Sequence, residues 1–478
     1  MVMPLFSRRP TVPAKDGASW PHVIIIGGGF AGAHAVMALR DVRVRVTLID
    51  RNVYKTFQPL LYQVATAGLN PGDVTMFLRG LSLKVPNMRY RQGEVVGVDP
   101  QRKVVRLEEG QEAPQELAYD YLLLANGATT TFFGTPGAEE HAMPMYTRSQ
   151  ALAIRDRIFS ELERSSREAA PSSDRLHVCI VGGGPTGVEI AGALADFRQQ
   201  ELDILYPEMD PGTLQITVIQ RGQDLLKGFA DTYRDYAAQE LEDRGVLLRL
   251  GHGVKEVGYD HVILDDERVL ESDVTIWAAG VAIADDVTDW GFPQDDRGRI
   301  IVDEHLQVQG FPGVYAAGDV AGGEHALPQL AQPAIQTGQG AARSIAADVA
   351  GKPARPFRYR NLGTMATIGR HAAIAELPFP LIKGLSGSIG WFSWLGVHIT
   401  KMIGHRNQRA VAMNLLSLYG GTRATHQPNP VVGEVDSLEA ARVFEAEAQA
   451  RKFGRGAGAR EDSDQVIEGR DGEAPEPR

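Results

Sequence analysis

The stretch HVIIIGGGFAGAHAVMALRDVRVRVTLID, residues 22–50, decides the fold. It opens on an apolar run rich in β-branched residues, the pattern of a strand buried on both faces of a parallel sheet. Gly27, Gly29 and Gly32 follow, then a run of helix formers, then a second strand ending on Asp50. Glycines at that spacing permit a tight turn, close approach of a pyrophosphate to the backbone, and tight packing of helix on sheet. The helix N-terminus attracts phosphate, and an acid closing the next strand accepts a ribose hydroxyl. A glycine pattern alone is weak evidence. Set between a strand and a helix, with Asp50 in place, it reads as a dinucleotide site rather than a structural turn.

The same grammar returns in HVCIVGGGPTGVEIAGALADF, residues 177–197, with Gly182, Gly184 and Gly187. After an insertion, LQITVIQ (214–220) supplies the second strand of that unit. It ends on Gln220, with Arg221 beside it, where the first unit has an acid. Duplication of one βαβ module is the simplest account. Two fingerprints imply two dinucleotides, one of them a redox cofactor, since no side chain accepts a hydride. The strands YLLLAN (121–126), VTIWAAG (274–280) and GVYAAGD (313–319) carry small residues at their C-terminal ends. That edge is where open α/β sheets bind ligands, and it holds Ala125, Gly127, Gly280 and Asp319. The expected fold class is therefore α/β, with two Rossmann-type dinucleotide-binding domains. Asp319 reads either as an acceptor for a ribityl hydroxyl or as a helix N-cap. Glu189, on the first turn of the second nucleotide helix, reads either as a partner of the helix dipole or as a group beside the nicotinamide. His34 reads as packing.

The chain has 478 residues, 43% hydrophobic and 23% charged, which suits two or three packed domains. A net charge of −11 argues against nucleic acid as a partner. The single cysteine, Cys179, sits inside a strand, so it reads as a small core residue in a reducing compartment. It also excludes the cysteine-pair chemistry of disulfide reductases and the multi-cysteine chemistry of sulfide oxidation. No metal site is expected. Residues 1–20 carry no apolar core for a signal, and no run of apolar residues is long enough to span a bilayer. Between Glu376 and Glu434 there is no acid, while Lys383, Lys401, Arg406, Arg409 and Arg423 are basic. This region contains WFSWLGVHI (391–399), and Trp391, Phe392, Trp394 and Leu395 are expected to face a membrane interface, the alternative being a cap packed on the protein's own core. The expected organisation is a flexible 1–20, an FAD-type domain over 21–145 and 301–355, and a nicotinamide domain over 146–300. A membrane-associating region over 356–426 follows, then a polar helix, capped by Asp436 and Glu439, and a disordered tail within 427–478.

GGGFAG, FQPLLYQVATAGL (57–69), GGGPTGVEIAGAL, TIWAAGV, VYAAGDVA and AQPAIQTGQGAA (331–342) together support a family. The chain resembles the type II NADH dehydrogenases, single-subunit NADH:quinone oxidoreductases of respiratory membranes. The resemblance implies that Gly27, Gly29, Phe30, Ala31, Gly32, Asp50, Arg51, Ala125, Gly127 and Asp319 hold FAD. It puts Gly182, Gly184, Gly187, Gln220, Arg221 and Gly280 on the nicotinamide side, with Glu189 as a catalytic group there. Gln332 and Gln336, four apart on one helical face, would line the pocket of a quinone, either menaquinone or ubiquinone. The implied enzyme is peripheral to the cytoplasmic face of the cell membrane and pumps no protons. The neutral Gln220 beside Arg221 reads in two ways: a site open to NADPH as well as NADH, with Arg221 pairing a 2′-phosphate, or an ordinary NADH site in which Gln220 bonds the ribose and Arg221 faces solvent. A homodimer stays open. The usual Thr before the flavin is Asn126 here. Two rivals stand beside this reading: a soluble reductase of a ferredoxin-like carrier, and a flavin-binding redox sensor without turnover.

Overall fold

A computed structural model describes residues 20–110, 113–167, 175–324, 326–378 and 384–420. The first nineteen residues, the polar helix expected from Asp436 and the tail lie outside the described residues.

Five parallel strands form the first sheet, in the order Val314–Ala316, Tyr121–Leu124, His22–Ile26, Arg45–Asp50 and Met88–Gln92. The chain leaves this sheet, builds the second unit, and returns with Val314–Ala316 to complete it. Val23 to Ile26 pair with Val46 to Ile49, so the turn at Gly27 lies level with the strand end at Asp50. The second sheet is parallel in the order Met143–Pro144, Val274–Trp277, Leu176–Val181, Leu214–Gln220 and Leu247–Leu250. In both sheets the first nucleotide strand is central and the connections diverge from it, which opens a crevice at its C-terminal end.

Two glycine contacts set the packing between layers. The helix Ala331–Val349 crosses the fingerprint helix Phe30–Ala38 at Gly338, where a Cβ would stand 2.2 Å from the carbonyl oxygen of Ala31. In the second unit, a Cβ on Gly192 would stand 1.9 Å from the carbonyl oxygen of Ile368. There the helix Pro185–Gln200 meets a C-terminal antiparallel sheet of Thr364–Gly369, Ala372–Glu376 and Gly384–Ser386. Only glycine permits either approach.

The C-terminal part ends in two helices, Gly387–Lys401 and His405–Gly420. The expectation that Trp391, Trp394 and Leu395 meet a membrane is corrected here. All three are buried, in the core shared by the second sheet and the FQPLLYQ segment. The reason is helical spacing: 391, 394, 395 and 398 fall on one face, and that face packs inward. Phe392 lies on the opposite face and is 61% exposed, with Ile389 and Val397. Met413 and Leu416 of the last helix are exposed too, and exposed Lys401, Arg406 and Arg409 lie among them in sequence. Among the described residues no helix is long and apolar enough to cross a membrane.

Candidate active site

The first fingerprint builds its cradle from backbone. Gly27, with φ at 99°, turns the chain and donates its N–H to Ile49 O at 2.8 Å. A Cβ on Gly32 would lie 1.8 Å from Gly27 O, so glycine is required for the helix to start this close to the strand. A Cβ on Gly29 would meet nothing within 4 Å, and the same holds at Gly127. These two positions face open space, as a pyrophosphate and a flavin ring would need. Asp50 Oδ2 accepts the Gly28 N–H at 2.6 Å and Oδ1 the Asn52 N–H at 2.7 Å. Burial nonetheless raises its pKa, against the pull of those two bonds. Arg51, next to it, turns outward to an exposed ion pair with Glu94 at 3.8 Å rather than into the crevice. Ala125 serves the turn: its carbonyl oxygen lies 2.3 Å from a Cβ placed on Gly27.

Two further polar groups lie at the ends of the neighbouring strands. The Asn126 side-chain oxygen is buried without a hydrogen-bond partner. Asp319, after the strand Val314–Ala316, has its carboxyl pushed up to about 6 by burial alone. Its side chain caps no helix, so the N-cap reading fails for it. Phe30 begins the fingerprint helix, and Ala31 lies under Gly318 and Gly338. An acceptor for adenosine hydroxyls at Asp50, glycines for phosphates and a half-buried carboxylate for a hydroxylated chain fit the parts of FAD in order.

The second fingerprint repeats this geometry with different chemistry. Gly182 donates to Ile219 O at 2.8 Å, and Gly183 N–H is accepted by Gln220 Oε1 at 2.9 Å. Gln220 thus stands where Asp50 does, but it presents an amide. A cleft of about 340 Å³ is lined by Gly182, Gly184, Gln220, Arg221, His252 and Gly280, among others. Gly187 supports the turn from behind, its would-be Cβ 1.9 Å from Gly182 O. Phe133, across from Gly280, and Trp277 complete the walls. Neither Phe133 nor His252 gave any signal in the sequence, because both arrive from distant loops.

Glu189 does not line this cleft. It is buried, its Oε1 accepting the Thr367 N–H at 3.4 Å from the C-terminal sheet. Burial pushes its carboxyl up to about 8, which favours its acid form. The glutamine pair also divides. Gln336 is spent on backbone: Nε2 donates to Arg360 O at 2.9 Å and Oε1 accepts Arg360 N–H at 3.0 Å. Gln332, one turn earlier on the same helix, is half-buried and carries no such clasp. Cys179 is a core residue, its thiol pushed up to about 11 by burial.

Comparison with known proteins agrees with this geometry. Residues 21–338 match the family model described as pyridine nucleotide-disulphide oxidoreductase, and 361–419 match that of the NDH2 C-terminal domain. The chain is similar to the type II NADH:quinone oxidoreductase Ndh of Mycobacterium tuberculosis, with 32% identity over 414 residues, 84% of this chain and 88% of that protein. NdhA of the same organism shares 33% over 407 residues, 81% and 85% of the two chains. In fold it is similar to NDH2 from Plasmodium falciparum solved in complex with NADH, at a TM-score of 0.76 and 22% identity, covering 85% of this chain and 100% of that one.

The Glu189 carboxyl gives a pH signature. Its folded pKa lies above the ordinary 4.5, so its contribution to stability is complete below about 4.5 and is lost as pH rises through about 8. Glu189→Gln removes that titration. Thermal unfolding from pH 5 to 9 should show the wild type losing ground to the variant as pH rises. Parallel curves would mean that Glu189 is not held in the acid form.

Proposed function

The chain belongs to the pyridine nucleotide-disulphide oxidoreductases, on their type II NADH:quinone oxidoreductase branch, and from that premise we propose a two-step electron transfer at one FAD, from NADH to a membrane quinone. The observation that carries it is the crossing of Ala31 on Gly338. It brings the FAD fingerprint helix against the helix of Gln332, while the second fingerprint opens its own cleft. Bound FAD supplies the hydride acceptor and the two-electron donor. The chain's residues supply position and charge: Asp50 and Asp319 accept hydroxyls, and the fingerprint N–H groups receive phosphate. Gln332 offers a neutral donor to a quinone carbonyl, while Gln336 holds the 360 segment in place. Gly182, Gly184, Gln220, Arg221 and Gly280 receive the nicotinamide nucleotide. Glu189 stays a neutral acid between the nucleotide helix and the C-terminal sheet. No step in this scheme moves a proton across the membrane.

The C-terminal helices are the membrane-facing element of this reading. Phe392, Ile389, Val397, Met413 and Leu416 are apolar and exposed, and Lys401, Arg406 and Arg409 add positive charge near them. That combination suits insertion among anionic headgroups, on the cytoplasmic face where reduced nucleotide is available. The nucleotide site is read as taking NADPH beside NADH. Gln220 lacks the charge that would repel a 2′-phosphate, and Arg221 lines the same cleft. Asp265 and Arg221 both lie within 3.3 Å of a Cβ placed on Gly253, so the cleft is not purely cationic and NADH is not excluded.

Three measurements test the parts separately. In stopped flow, Gln332→Ala should slow flavin reoxidation by a menaquinone or ubiquinone analogue and leave reduction by NADH nearly unchanged. Equal loss in both half-reactions would remove Gln332 from the quinone side. Oxidation of NADPH should be measurable, and Gln220→Glu should lower it while NADH activity survives. Wild-type discrimination against NADPH beyond roughly a hundredfold, about 2.7 kcal/mol, would contradict that reading. Phe392→Ser with Leu416→Ser should release the protein from anionic liposomes, and turnover on intact vesicles should acidify no lumen. Unchanged sedimentation would place the attachment elsewhere.

A further inference from the structure

Lys55 is a charged group that the scheme above does not use. It lies on the strand Tyr54–Thr56, immediately before FQPLL, and is only 6% exposed. Its Nζ stands 3.6 Å over the centre of the Phe30 ring, at the start of the FAD fingerprint helix. The Phe57 ring is 6.0 Å away, and Phe57 in turn meets His398 of the C-terminal helix edge-on at 6.2 Å. Lys55 therefore sits where the flavin helix, the FQPLL segment and the C-terminal region converge.

Among the described residues no carboxylate pairs with it. Burial alone draws its pKa down to about 7, with no carboxylate opposing the shift. The neighbouring ionisable groups are basic. His34 on the fingerprint helix is held near 4 by burial, with Lys55 and Lys401 lowering it further. His398, also near 4, is neutral and stacked on Trp394, and Arg148 lies over the ring of Tyr54. A cation over an aromatic face gains less than drying an ammonium costs. A buried ammonium without a carboxylate beside it gives up its proton more readily than an exposed one, so Lys55 is placed to pass between its charged and neutral forms.

Resting on the NADH:quinone reading, we propose that Lys55 is a catalytic residue of the quinone half-reaction, the general acid that protonates a quinone oxygen. The stoichiometry requires such a group. A hydride from NADH carries two electrons and one proton, whereas a quinol has gained two electrons and two protons. In the proposed step an N–H bond of Lys55 breaks and a quinol O–H bond forms. The neutral amine then takes a proton from water. A group that titrates near the working pH both releases and recovers its proton readily.

The test uses the FAD-loaded full chain and its Lys55→Met and Lys55→Arg variants, with flavin content and spectrum checked first. Wild-type reoxidation by a soluble ubiquinone analogue should slow as pH rises through the Lys55 titration. Lys55→Met should be slower by roughly 10²–10⁴-fold and flat with pH, and reduction by NADH should hardly change. Equilibrium binding of an anionic hydroxynaphthoquinone, read without turnover, should be lost in Lys55→Met and kept in Lys55→Arg. The arginine variant should not regain the rate, because its guanidinium does not release a proton. Wild-type turnover with an unaffected Lys55→Met, in rate or in binding, would overturn this proposal alone. Wild-type flavin that NADH reduces and quinone does not reoxidise would overturn the functional reading with it.

Discussion

The contact on which the rest of the site depends is the crossing of two helices at Ala31 and Gly338. Nothing but hydrogen fits between the Gly338 Cα and the Ala31 backbone. The crossing therefore fixes the helix Ala331–Val349 against the fingerprint helix at one height and one rotation. Gly318 lies against Ala31 and Ala334 at the same place, which brings Asp319 to the crevice. Gln332 and Gln336 take their positions from the same helix. A side chain at 338 would force the helices apart, and the flavin crevice and the glutamines would lose their common reference.

The two nucleotide units show what the backbone fixes and what it leaves to side chains. Both turn on a positive-φ glycine, both hold a later glycine against that turn, and both tie the middle glycine N–H to the end of the second strand. The tie is a carboxylate in one unit and an amide in the other. Geometry is thus duplicated while charge is not, and charge is what distinguishes ligands of similar shape. The C-terminal sheet docks on the second unit through Gly192 and the buried Glu189. Its helices share a core with FQPLLYQ, so the C-terminal helices, that segment and the nucleotide unit form one packed body.

Much of this was legible in the sequence because it is local. Glycine spacing, strand-end residues and the lone buried Cys179 each express a rule that acts within a few residues. What escaped was set by distant contacts. Gln332 and Gln336 look equivalent on a helical wheel, yet Arg360 occupies one of them. Trp391 and Trp394 look interfacial by composition, yet their helical face points at a core built from the rest of the chain. Lys55 carries no local signal, and its burial is set by Phe30 and Phe57, which come from separate elements. Arg51 carries the reverse lesson: adjacent to Asp50 in sequence, it turns away to Glu94.

The central claim is that one flavin in this chain connects a nicotinamide site to a quinone site. An anaerobic titration of the FAD-loaded protein, followed by flavin absorbance, tests it most directly. One NADH per chain should bleach the flavin, and one quinone analogue per chain added next should restore it fully, with one quinol formed. Bleaching that quinone leaves in place, or recovery that needs a protein electron carrier, would contradict the account.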